Sequence, residues 1–594
     1  MQPEIFYTER IESLQLKLLA LLKKKSQLGW ARFVVMLIIV ASIYFLLPVG
    51  LSYTIITSII LLAIFIRLVY TDSNNKSAIQ HTKYLIQINK DELKALAGDY
   101  LHFEDGTEYI PQNHLYANDI DILGRASLFQ YINRTTSDMG AATLANWLLQ
   151  PATEEVIPQR QSAIKELNNN VSWKQELQAT GKEKKIKKET QTKLQDWLLE
   201  ESSFIKNNYW IWLKYLIPAI IITVIFLNIF SFISNPIRNY FLLASAILAF
   251  YIAKKVMIVY FQVSKMVDEL DVMADSIQLI QKAEFKTPLL QKLQSVFVYK
   301  NMASAELKSL KSILARFDYR MNPVVFIPLA IILQWDLQQV IALEKWKKSN
   351  QQNINKWFEA LGELEAISSL TTIYFNHPNW CFPALQKEHF SIKGNVIGHP
   401  LINQKRVNNY IDIEHKGELM LITGSNMAGK STYLRSIGIN VVLAMAGSVV
   451  CAETFSVSPV QLMTSMRISD NLEENTSTFY AELKKLKGVI DKVNNHEKVF
   501  ILLDEILRGT NSLDRHTGSK ALIQQLIKHN AAGIIATHDI ELAKLKDEYP
   551  ANILNYYFDV QVSNDELYFD YRLKQGVCSS LNASILMKKI GIEL

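Results

Sequence analysis

The first long feature of the chain is a stretch without any charged residue, from Phe33 to Ile66. It is too long for one ordinary membrane span, and Pro48-Val-Gly50 interrupts its middle. A helix needs about 20 apolar residues to cross the hydrocarbon core of a bilayer. The pattern over residues 30–70 therefore predicts two short transmembrane helices joined by a tight turn.

A second apolar stretch has the same form. Uncharged residues run from Tyr215 to Ile237, residues 234–238 are typical of a turn, and the chain is again apolar from Asn239 to Ala253. Residues 212–260 are therefore predicted to form a second transmembrane hairpin. For either pair, the alternative is two helices buried in a protein core. A further apolar run, Pro323 to Trp335, is too short to span a bilayer and is predicted to be a core helix.

Basic residues flank both hairpins on the side away from their turns, and they set the expected orientation. By the positive-inside rule, both termini and the large soluble segments face the cytoplasm, including a basic N-terminal helix over residues 1–29. We therefore expect a multi-pass protein of the inner, cytoplasmic membrane, with the lipid bilayer as a partner. The flanking residues are Lys23, Lys24, Lys25, Arg32, Arg67, Lys206, Lys214, Lys254 and Lys255.

Between and after the hairpins, the residue composition is typical of soluble domains. Residues 71–122 are mixed and polar, and we expect a cytoplasmic linker with short strand-like pieces such as Tyr84-Leu-Ile-Gln-Ile88. Residues 123–211 and 261–380 are predicted to be mostly helical, and Val263 to Gln281 is expected to extend the fourth membrane helix. In residues 381–594, apolar strand-like runs alternate with helical patterns, which is typical of an α/β domain.

Composition adds a few limits. The 594 residues are too many for a single core, and the net charge of +6 allows contact with nucleic acid or anionic lipid without requiring it. The cysteines Cys381, Cys451 and Cys578 lack metal-ligand spacing, so we expect a reducing compartment and no zinc. The lysine-rich run 182–188 could touch phosphates, but a solvated helix face is the favoured interpretation.

The candidate chemistry begins at Thr423 to Thr432, T-G-S-N-M-A-G-K-S-T, which fits the phosphate-binding loop pattern. A buried strand is predicted before it and a helix after it, which is the context that this motif requires. Loop N–H groups and the helix N-terminus would bind phosphates, Lys430 would reach the outer phosphates, and the Ser431 hydroxyl would ligate Mg²⁺. The ATP-binding residues are predicted to be Gly424, Ser425, Asn426, Met427, Ala428, Gly429, Lys430, Ser431 and Thr432.

Two later strands complete the predicted site. Val499 to Asp504 is an apolar run that ends in a pair of carboxylates, as a Walker B element does. Asp504 would hold Mg²⁺ and Glu505 would polarise the attacking water, on a strand adjacent to that of the loop. His538 ends a further strand; it is either structural or, as we favour, a sensor of the γ-phosphate.

These segments resemble the MutS family of ATPases. The resemblance rests on the loop, on Leu502-Leu-Asp-Glu-Ile-Leu-Arg-Gly-Thr510, on Ala536 to Leu542 and on Asp470 to Leu483. It implies that Ser477 reaches the ATP of a partner subunit, so that the ATPase domains form a homodimer. Weaker similarity at Leu128 to Leu167 implies that the helical regions are the MutS core and lever helices. The implied fold is therefore a C-terminal P-loop ATPase domain of the ABC/MutS type after an all-α region with two transmembrane hairpins.

The chain also departs from the MutS pattern. Ser425 and Ala428 replace a proline and a glycine of the loop, and Leu507 stands where the family usually has glycine. A basic helix and a hairpin stand where the mismatch-reading domain is expected, without a Phe-x-Glu wedge, and the chain ends at Leu594 before the usual C-terminal dimer module. These differences count against mismatch recognition and leave ATP hydrolysis with Mg²⁺ as the expectation.

Three functions compete at this point. The first is a membrane-anchored ATPase whose cycle switches the helical region, with double-stranded DNA as the inherited ligand. The second is an ATP-driven switch or scaffold that acts on a membrane protein without binding DNA. The third, a transporter, is the weakest, because four short spans with few polar residues offer little path for a substrate.

Overall fold

The computed structural model describes residues 2–112, 114–201, 204–298, 302–387, 390–403, 405–425, 428–466, 478–563 and 566–578. Within these ranges, an all-helical N-terminal part precedes an α/β part, as predicted. The helices of the first part are α1 (Pro3–Leu46), α2 (Leu51–Leu96), α3 (Leu128–Ile132), α4 (Asp138–Leu149), α5 (Val156–Asn168), α6 (Val171–Gly181), α7 (Lys188–Leu199), α8 (Asn208–Ile229), α9 (Asn235–Ser264), α10 (Val267–Lys282), α11 (Pro288–Val298), α12 (Ala303–Phe317), α13 (Pro323–Leu333), α14 (Trp335–Asn350) and α15 (Ile354–Asn376).

Helices α1 and α2 form one long antiparallel hairpin whose turn lies at residues 47–50, as the Pro-Val-Gly signal predicted. The prediction of two short helices was wrong, because both continue far beyond the apolar stretch. Their polar halves persist as helices because each has an apolar face to bury. Leu14 of α1, Leu85 and Ile88 of α2 and Ala179 of α6 share one buried cluster.

The same cluster explains why the strand-like interpretation of residues 84–88 was wrong. Leu85 and Ile88 are three residues apart, so they lie on one face of a helix and pack together. A five-residue apolar run carries too little periodicity to separate helix from strand, and only the long-range contacts with α1 and α6 decide it.

Four helices of the described chain, α1, α2, α8 and α9, are long and apolar enough to cross a membrane. The second pair, α8 and α9, turns at residues 230–234. The predicted turn at residues 234–238 was wrong, because Asn235 and Pro236 form the first turn of α9, where proline is tolerated. Large apolar side chains on all four point outward, among them Trp30, Phe45, Trp212 and Phe250. This exposure argues against the alternative that the apolar stretches are buried core helices.

The core of the helical part lies around α15, which is buried along nearly its whole length and packs against α4, α5 and α11. This core is continuous with part of the α/β core, since Leu361 of α15 and Ile422 of the α/β part belong to one buried cluster.

The expected extension of α9 through Gln281 was wrong, because the chain breaks at residues 265–266 before α10. Val263, Met266 and Leu270 are buried in the helical core on either side of this break.

The lysine-rich run 182–188 lies at the surface of this part and pairs with carboxylates of the chain itself. Lys182 lies 3.7 Å from Asp91, and Lys185 contacts Glu104 at 2.8 Å and Asp138 at 3.0 Å. Such pairs are what a solvated charged surface makes. The predicted helix face was wrong, because residues 182–187 connect α6 to α7 and only Lys188 is helical.

Helix α13 differs from its prediction as a core helix. Among its residues only Ala330 is buried, and Val324 and Ile327 are exposed. It packs on α8 and α9 by one side and meets α14 at a bend of 78°. An apolar sequence fixes the preference for a non-aqueous environment, and it does not decide between protein and lipid.

The α/β part contains two sheets. Its strands are β1 (Ala384–Leu385), β2 (Ile392–Ile397), β3 (Asn409–Ile413), β4 (Leu419–Thr423), β5 (Thr454–Val457), β6 (Gln461–Ser465), β7 (Val499–Asp504), β8 (Ala532–Thr537), β9 (Ile553–Ser563) and β10 (Glu566–Gln575), and its helices are α16 (Lys430–Ala446), α17 (Thr478–Asn494), α18 (Ser512–Lys528) and α19 (Leu545–Glu548). The smaller sheet has the order β1-β5-β2-β3 and the larger β10-β9-β4-β8-β7-β6.

In the larger sheet, only the β9–β10 pairing is antiparallel. Strands β4, β7 and β8 are buried at every position, which matches continuous apolar runs in a parallel sheet covered on both faces. The expectation that the loop strand and the carboxylate strand are adjacent was wrong. Strand β8 pairs with both and separates them, because chain order does not fix the order of strands in a parallel sheet.

Candidate functional site

A tight loop joins β4 to α16 at the carboxyl edge of the larger sheet. Gly424 and Gly429 bound it with φ of +145° and +107°. A Cβ at Gly424 would lie 2.8 Å from the Phe558 carbonyl oxygen, and one at Gly429 would lie 3.1 Å from the Tyr571 ring. Glycine is therefore required at both positions by backbone angle and by space.

The remaining loop positions were predicted from the motif alone. Ala428 is buried, Thr432 is exposed at the start of α16, and Ser425 offers its carbonyl to the loop interior. Asn426 and Met427 lie outside the described residues.

Lys430 turns back into the loop. Its Nζ donates to the carbonyl oxygens of Gly424 at 2.7 Å and of Ser425 at 3.0 Å. Burial lowers the pKa of this amine to about 8. A buried amine whose hydrogen bonds go to two neutral backbone carbonyls of the loop is suited to receive an anion.

Ser431 and Asp504 meet beneath the loop, where the Ser431 hydroxyl donates to Oδ2 of Asp504 at 2.5 Å. The other carboxylate oxygen, Oδ1, is buried and accepts no hydrogen bond from any described residue. A hydroxyl and a carboxylate with an orphaned oxygen are hard ligands that fit Mg²⁺. In the described ranges, no three His, Cys, Asp or Glu side chains cluster to hold a metal by themselves. An ion here would therefore also need water or phosphate ligands.

Glu505 and His538 form the third part of the site. Nε2 of His538 contacts Oε1 of Glu505, and Nδ1 lies 2.7 Å from the Gly424 carbonyl oxygen. Both ring nitrogens therefore face oxygen atoms of the site, and Nδ1 also lies 3.4 Å from Nζ of Lys430. Because β8 lies between β4 and β7, His538, which directly follows β8, contacts both the phosphate loop and the residue after the carboxylate strand.

Neighbouring cations favour an ionised Glu505. The hydrogen bond from His538, reinforced by nearby Arg508 and Lys430, holds the pKa of Glu505 below its ordinary value. Arg508 Nε lies 2.9 Å from Oε2 of Glu505. The carboxylate can therefore accept a proton or a hydrogen bond at neutral pH.

Sequence reasoning missed Glu482 of α17. Its Oε1 accepts from the Leu507 backbone N–H at 2.5 Å, so it holds the turn that follows Glu505. Burial raises the pKa of Glu482. The side chain of Phe479 packs on the same turn, where a Cβ at Gly509 would lie 2.6 Å from its Cβ. Ser477, the predicted contact to a partner subunit, lies outside the described residues just before α17.

A cleft of about 540 Å³ opens beside the loop. The segment between β2 and β3 forms its second wall, and Tyr571 of β10 closes it over Gly429. None of the predicted ATP-binding residues lies on this wall. Its lining beyond the loop and α16 comprises Ile397, His399, Ile402, Lys405, Arg406, Val407, Asn409 and Tyr571.

The same wall touches the end of the first hairpin. The Asn403 side-chain amide donates to the carbonyl oxygen of Leu96, the last residue of α2, at 2.9 Å. Helix α2, which begins within the apolar stretch, therefore ends against the cleft wall.

Comparison with protein families identifies two parts of the chain. The family model for MutS domain III matches residues 110–197, and that for MutS domain V matches residues 420–588. The second match contains the loop, Asp504, Glu505 and His538. The chain is a MutS-family protein.

Relatives support this assignment over a limited length. The DNA mismatch repair protein MutS of Thermotoga sp. (strain RQ2) is 29% identical over 252 residues, which cover 41% of this chain and 31% of that protein. MutS of Natronomonas pharaonis is 30% identical over 237 residues, covering 39% and 27%. MutS protein homolog 4 of Mus musculus is 34% identical over 196 residues, covering 31% and 20%. The match therefore spans less than a third of each of these relatives.

Proposed function

We propose that this MutS-family protein is a membrane-anchored ATPase that uses ATP and Mg²⁺ to switch its helical region between conformations. The observation that carries the proposal is the convergence of Lys430, the Ser431–Asp504 pair and the Glu505–His538 pair at one edge of the sheet. Each group has the chemistry that one part of nucleotide hydrolysis requires.

The phosphates would lie in the loop, against backbone N–H groups and the α16 N-terminus, with Lys430 at the outer phosphates. Ser431 and Asp504 would hold Mg²⁺, which supplies charge neutralisation to the phosphates when bound. The cleft beside Tyr571 has the size and position for the nucleoside. Glu505 would orient the attacking water through its ionised carboxylate. His538 would donate a hydrogen bond to the γ-phosphate.

Two substitutions test these roles. Lys430→Ala should lose ATP binding, because the only described ammonium in the loop is removed. Glu505→Gln should bind ATP normally but hydrolyse it about 10²-fold more slowly or worse, because the metal site survives and proton acceptance is lost. Fluorescent-nucleotide binding and phosphate release measure the two effects separately. Hydrolysis by Glu505→Gln at the wild-type rate would contradict the assigned role of Glu505.

Membrane anchoring is proposed from the exposed apolar lengths of α1, α2, α8 and α9 and from the basic residues at their ends. Both hairpins should enter the inner membrane from the cytoplasmic side. Reporter fusions at residues 50 and 235 should read outside, and fusions at residues 120 and 594 should read inside. Complete recovery of the protein in the soluble fraction without detergent would refute anchoring.

Double-stranded DNA is the ligand proposed for the helical region, since the bacterial and archaeal relatives are named as DNA mismatch repair proteins. Phosphate contacts make such binding salt-dependent. Detergent-solubilised protein should bind duplex DNA with an affinity that falls steeply with salt. Absence of binding at low salt, with ATP hydrolysis intact, would favour the second function, a switch that acts on a membrane protein partner.

A further inference from the structure

Helix α13 presents apolar side chains to its surroundings without any charge among them. The sequence Pro323 to Leu333 contains only apolar residues, and Val324 and Ile327 are 83% and 54% exposed. Within the described part of the chain, it packs on α8 and α9 and on the segments directly before and after it. A contiguous exposed apolar surface of this kind requires a partner that excludes water.

Contacts at its two ends show how α13 lies along α9. Before α13 begins, Nη1 of Arg320 contacts Sδ of Met257 at 3.3 Å. Where α13 ends, the Ser245 hydroxyl donates to the Ile331 carbonyl oxygen at 2.5 Å. Met257 and Ser245 are about 18 Å apart along α9, and α13 is about 16 Å long. The helix therefore runs antiparallel to α9, from near the basic pair Lys254–Lys255 towards the middle of the hairpin.

Two backbone carbonyl oxygens at the end of α13 accept hydrogen bonds from side chains of the chain itself. Gln334 ends the helix with φ of +50°, which leaves carbonyl oxygens without helical partners. Ser245 donates to one of them, and Gln338 Nε2 donates to the Leu333 carbonyl oxygen at 2.7 Å. Gln334 Nε2 in turn donates to the carbonyl and hydroxyl oxygens of Ser245 at 3.0 and 2.8 Å. Oε1 of Gln334 is buried without a partner among the described residues. Internal partners for backbone carbonyl oxygens are what a helix end needs at membrane depth.

We propose that α13 is a re-entrant half-helix that inserts into the cytoplasmic leaflet beside the second hairpin, with lipid acyl chains covering its exposed face. It is about half as long as a bilayer core is thick, so it enters and does not cross. After Gln334 the chain bends by 78° into α14, whose residues are mostly buried within the helical part. This inference rests on the proposed membrane anchoring of α8 and α9.

The consequence is a direct tie between the bilayer and the helical part. Helix α14 continues from the inserted end and packs on both α9 and α12. The α12–α14 segment is thus fixed to the membrane at two places, by the hairpin and by the half-helix.

Quenching of a site-specific probe tests the proposal in the full chain. An environment-sensitive fluorescent amino acid is placed at Val324 or at Ile327 in protein reconstituted into vesicles. Lipids that carry a nitroxide on the acyl chain quench probes in the bilayer, and iodide quenches probes in water. The matched controls are Phe250 of α9 and Leu513 of α18, which are 75% and 73% exposed.

Probes at 324 and 327 should be quenched by the labelled lipid severalfold more than the probe at 513, and as strongly as the probe at 250. Iodide should show the reverse order. Iodide quenching at 324 and 327, with lipid quenching at 250, would overturn the half-helix and leave anchoring intact. Protection of both sites from both quenchers would mean that protein covers them and would also overturn it. Iodide quenching at 250 as well would refute the anchoring and the half-helix together.

Discussion

Leu507 has a backbone conformation that favours glycine, with φ of +60°. A side chain in this region costs about 1–2 kcal/mol. The same side chain is buried in the second core of the α/β part, where a Cβ at Gly518 would lie 2.5 Å from its Cδ1. Packing against Gly518 thus offsets the strain. The departure from the family pattern at this position did not by itself indicate this packing.

Replacement of Leu507 by glycine should therefore destabilise the protein, by about 1–3 kcal/mol, because removal of a buried leucine costs more than the strain it relieves. Leu507→Ala is the matched control and should destabilise further, because it loses packing and keeps much of the strain. The midpoint of thermal unfolding in detergent orders the three proteins. A Leu507→Gly protein more stable than wild type would contradict the packing argument.

Lys430 gives a prediction about pH. In the free site its pKa of about 8 means that the amine is charged below that pH and neutral above it. Bound phosphates favour the charged amine and raise its pKa. ATP binding about one unit above pH 8 should therefore take up a proton, and binding well below it should not involve this group.

Calorimetric titrations in two buffers with different ionisation enthalpies measure that uptake. Lys430→Arg provides the control, since a guanidinium stays charged throughout this range and should bind without uptake at this position. Equal uptake by wild type and by Lys430→Arg would assign the proton to another group.

The motif residues Lys430, Ser431, Asp504 and Glu505 could be predicted from the sequence because their spacing is fixed by one loop and one strand end. The contact between His538 and Glu505 could not be predicted, because it depends on β8 lying between β4 and β7. The hydrogen bond between Glu482 and the Leu507 N–H could not be predicted either, since it joins segments that are distant in the chain.

At the scale of elements, one buried ion pair sets the register of the first hairpin. Arg32 of α1 lies 3.1 Å from Asp72 of α2, whose side chain is 1% exposed, and Lys76 reaches the same oxygen at 3.3 Å. Asn75 donates to the Leu21 carbonyl oxygen at 3.0 Å. These contacts lie where the apolar stretch gives way to the polar half of the hairpin.

Loss of Arg32 should therefore be costly. Arg32→Met leaves a buried carboxylate with one exposed lysine, and should destabilise by about 2–3 kcal/mol, at the lower end for buried pairs because Arg32 is partly exposed. Lys76→Met should have little effect. Combining Arg32→Met with Asp72→Leu should recover much of the loss, since no buried charge remains. Thermal unfolding measures all three, and an additive loss in the double variant would contradict the pairing.

The hairpin turn and the apolar lengths were predictable because Pro48-Val-Gly50 and the missing charges are local signals. The length of α1 and α2 was not, because their polar halves are stabilised by contacts with α6 and the helical core. The environment of α13 was missed for a similar reason: composition alone cannot separate lipid from a protein interior.

At the scale of the whole molecule, we expect a homodimer with ATP sites completed by Ser477 of the other subunit. A subunit alone would bind ATP but lack part of the shell that stabilises transition-state charge. Confinement to a membrane would raise the effective concentration of subunits and favour pairing.

Mixing Ser477→Ala with Lys430→Ala tests this arrangement. One site of the mixed dimer joins intact Lys430 of the first variant to intact Ser477 of the second, so ATPase activity should partly return on mixing. Neither variant alone has such a site. Full activity of Ser477→Ala by itself, or constant activity per subunit in monomeric micelles, would refute the composite site.

The hydrogen bond between the Asn403 side chain and the Leu96 carbonyl oxygen connects the end of α2 to the cleft wall. From Asp72 to Leu96 the helix rises about 36 Å at about 1.5 Å per residue, and α1 stiffens it along most of that length. Under the proposed anchoring, this part of α2 sets the distance between the bilayer and the cleft. A tilt of about 10° would move one end by about 6 Å relative to the other, by simple geometry on that helix length. Closure of the cleft around a nucleotide could thus displace the membrane end of this part of α2 without any intervening domain.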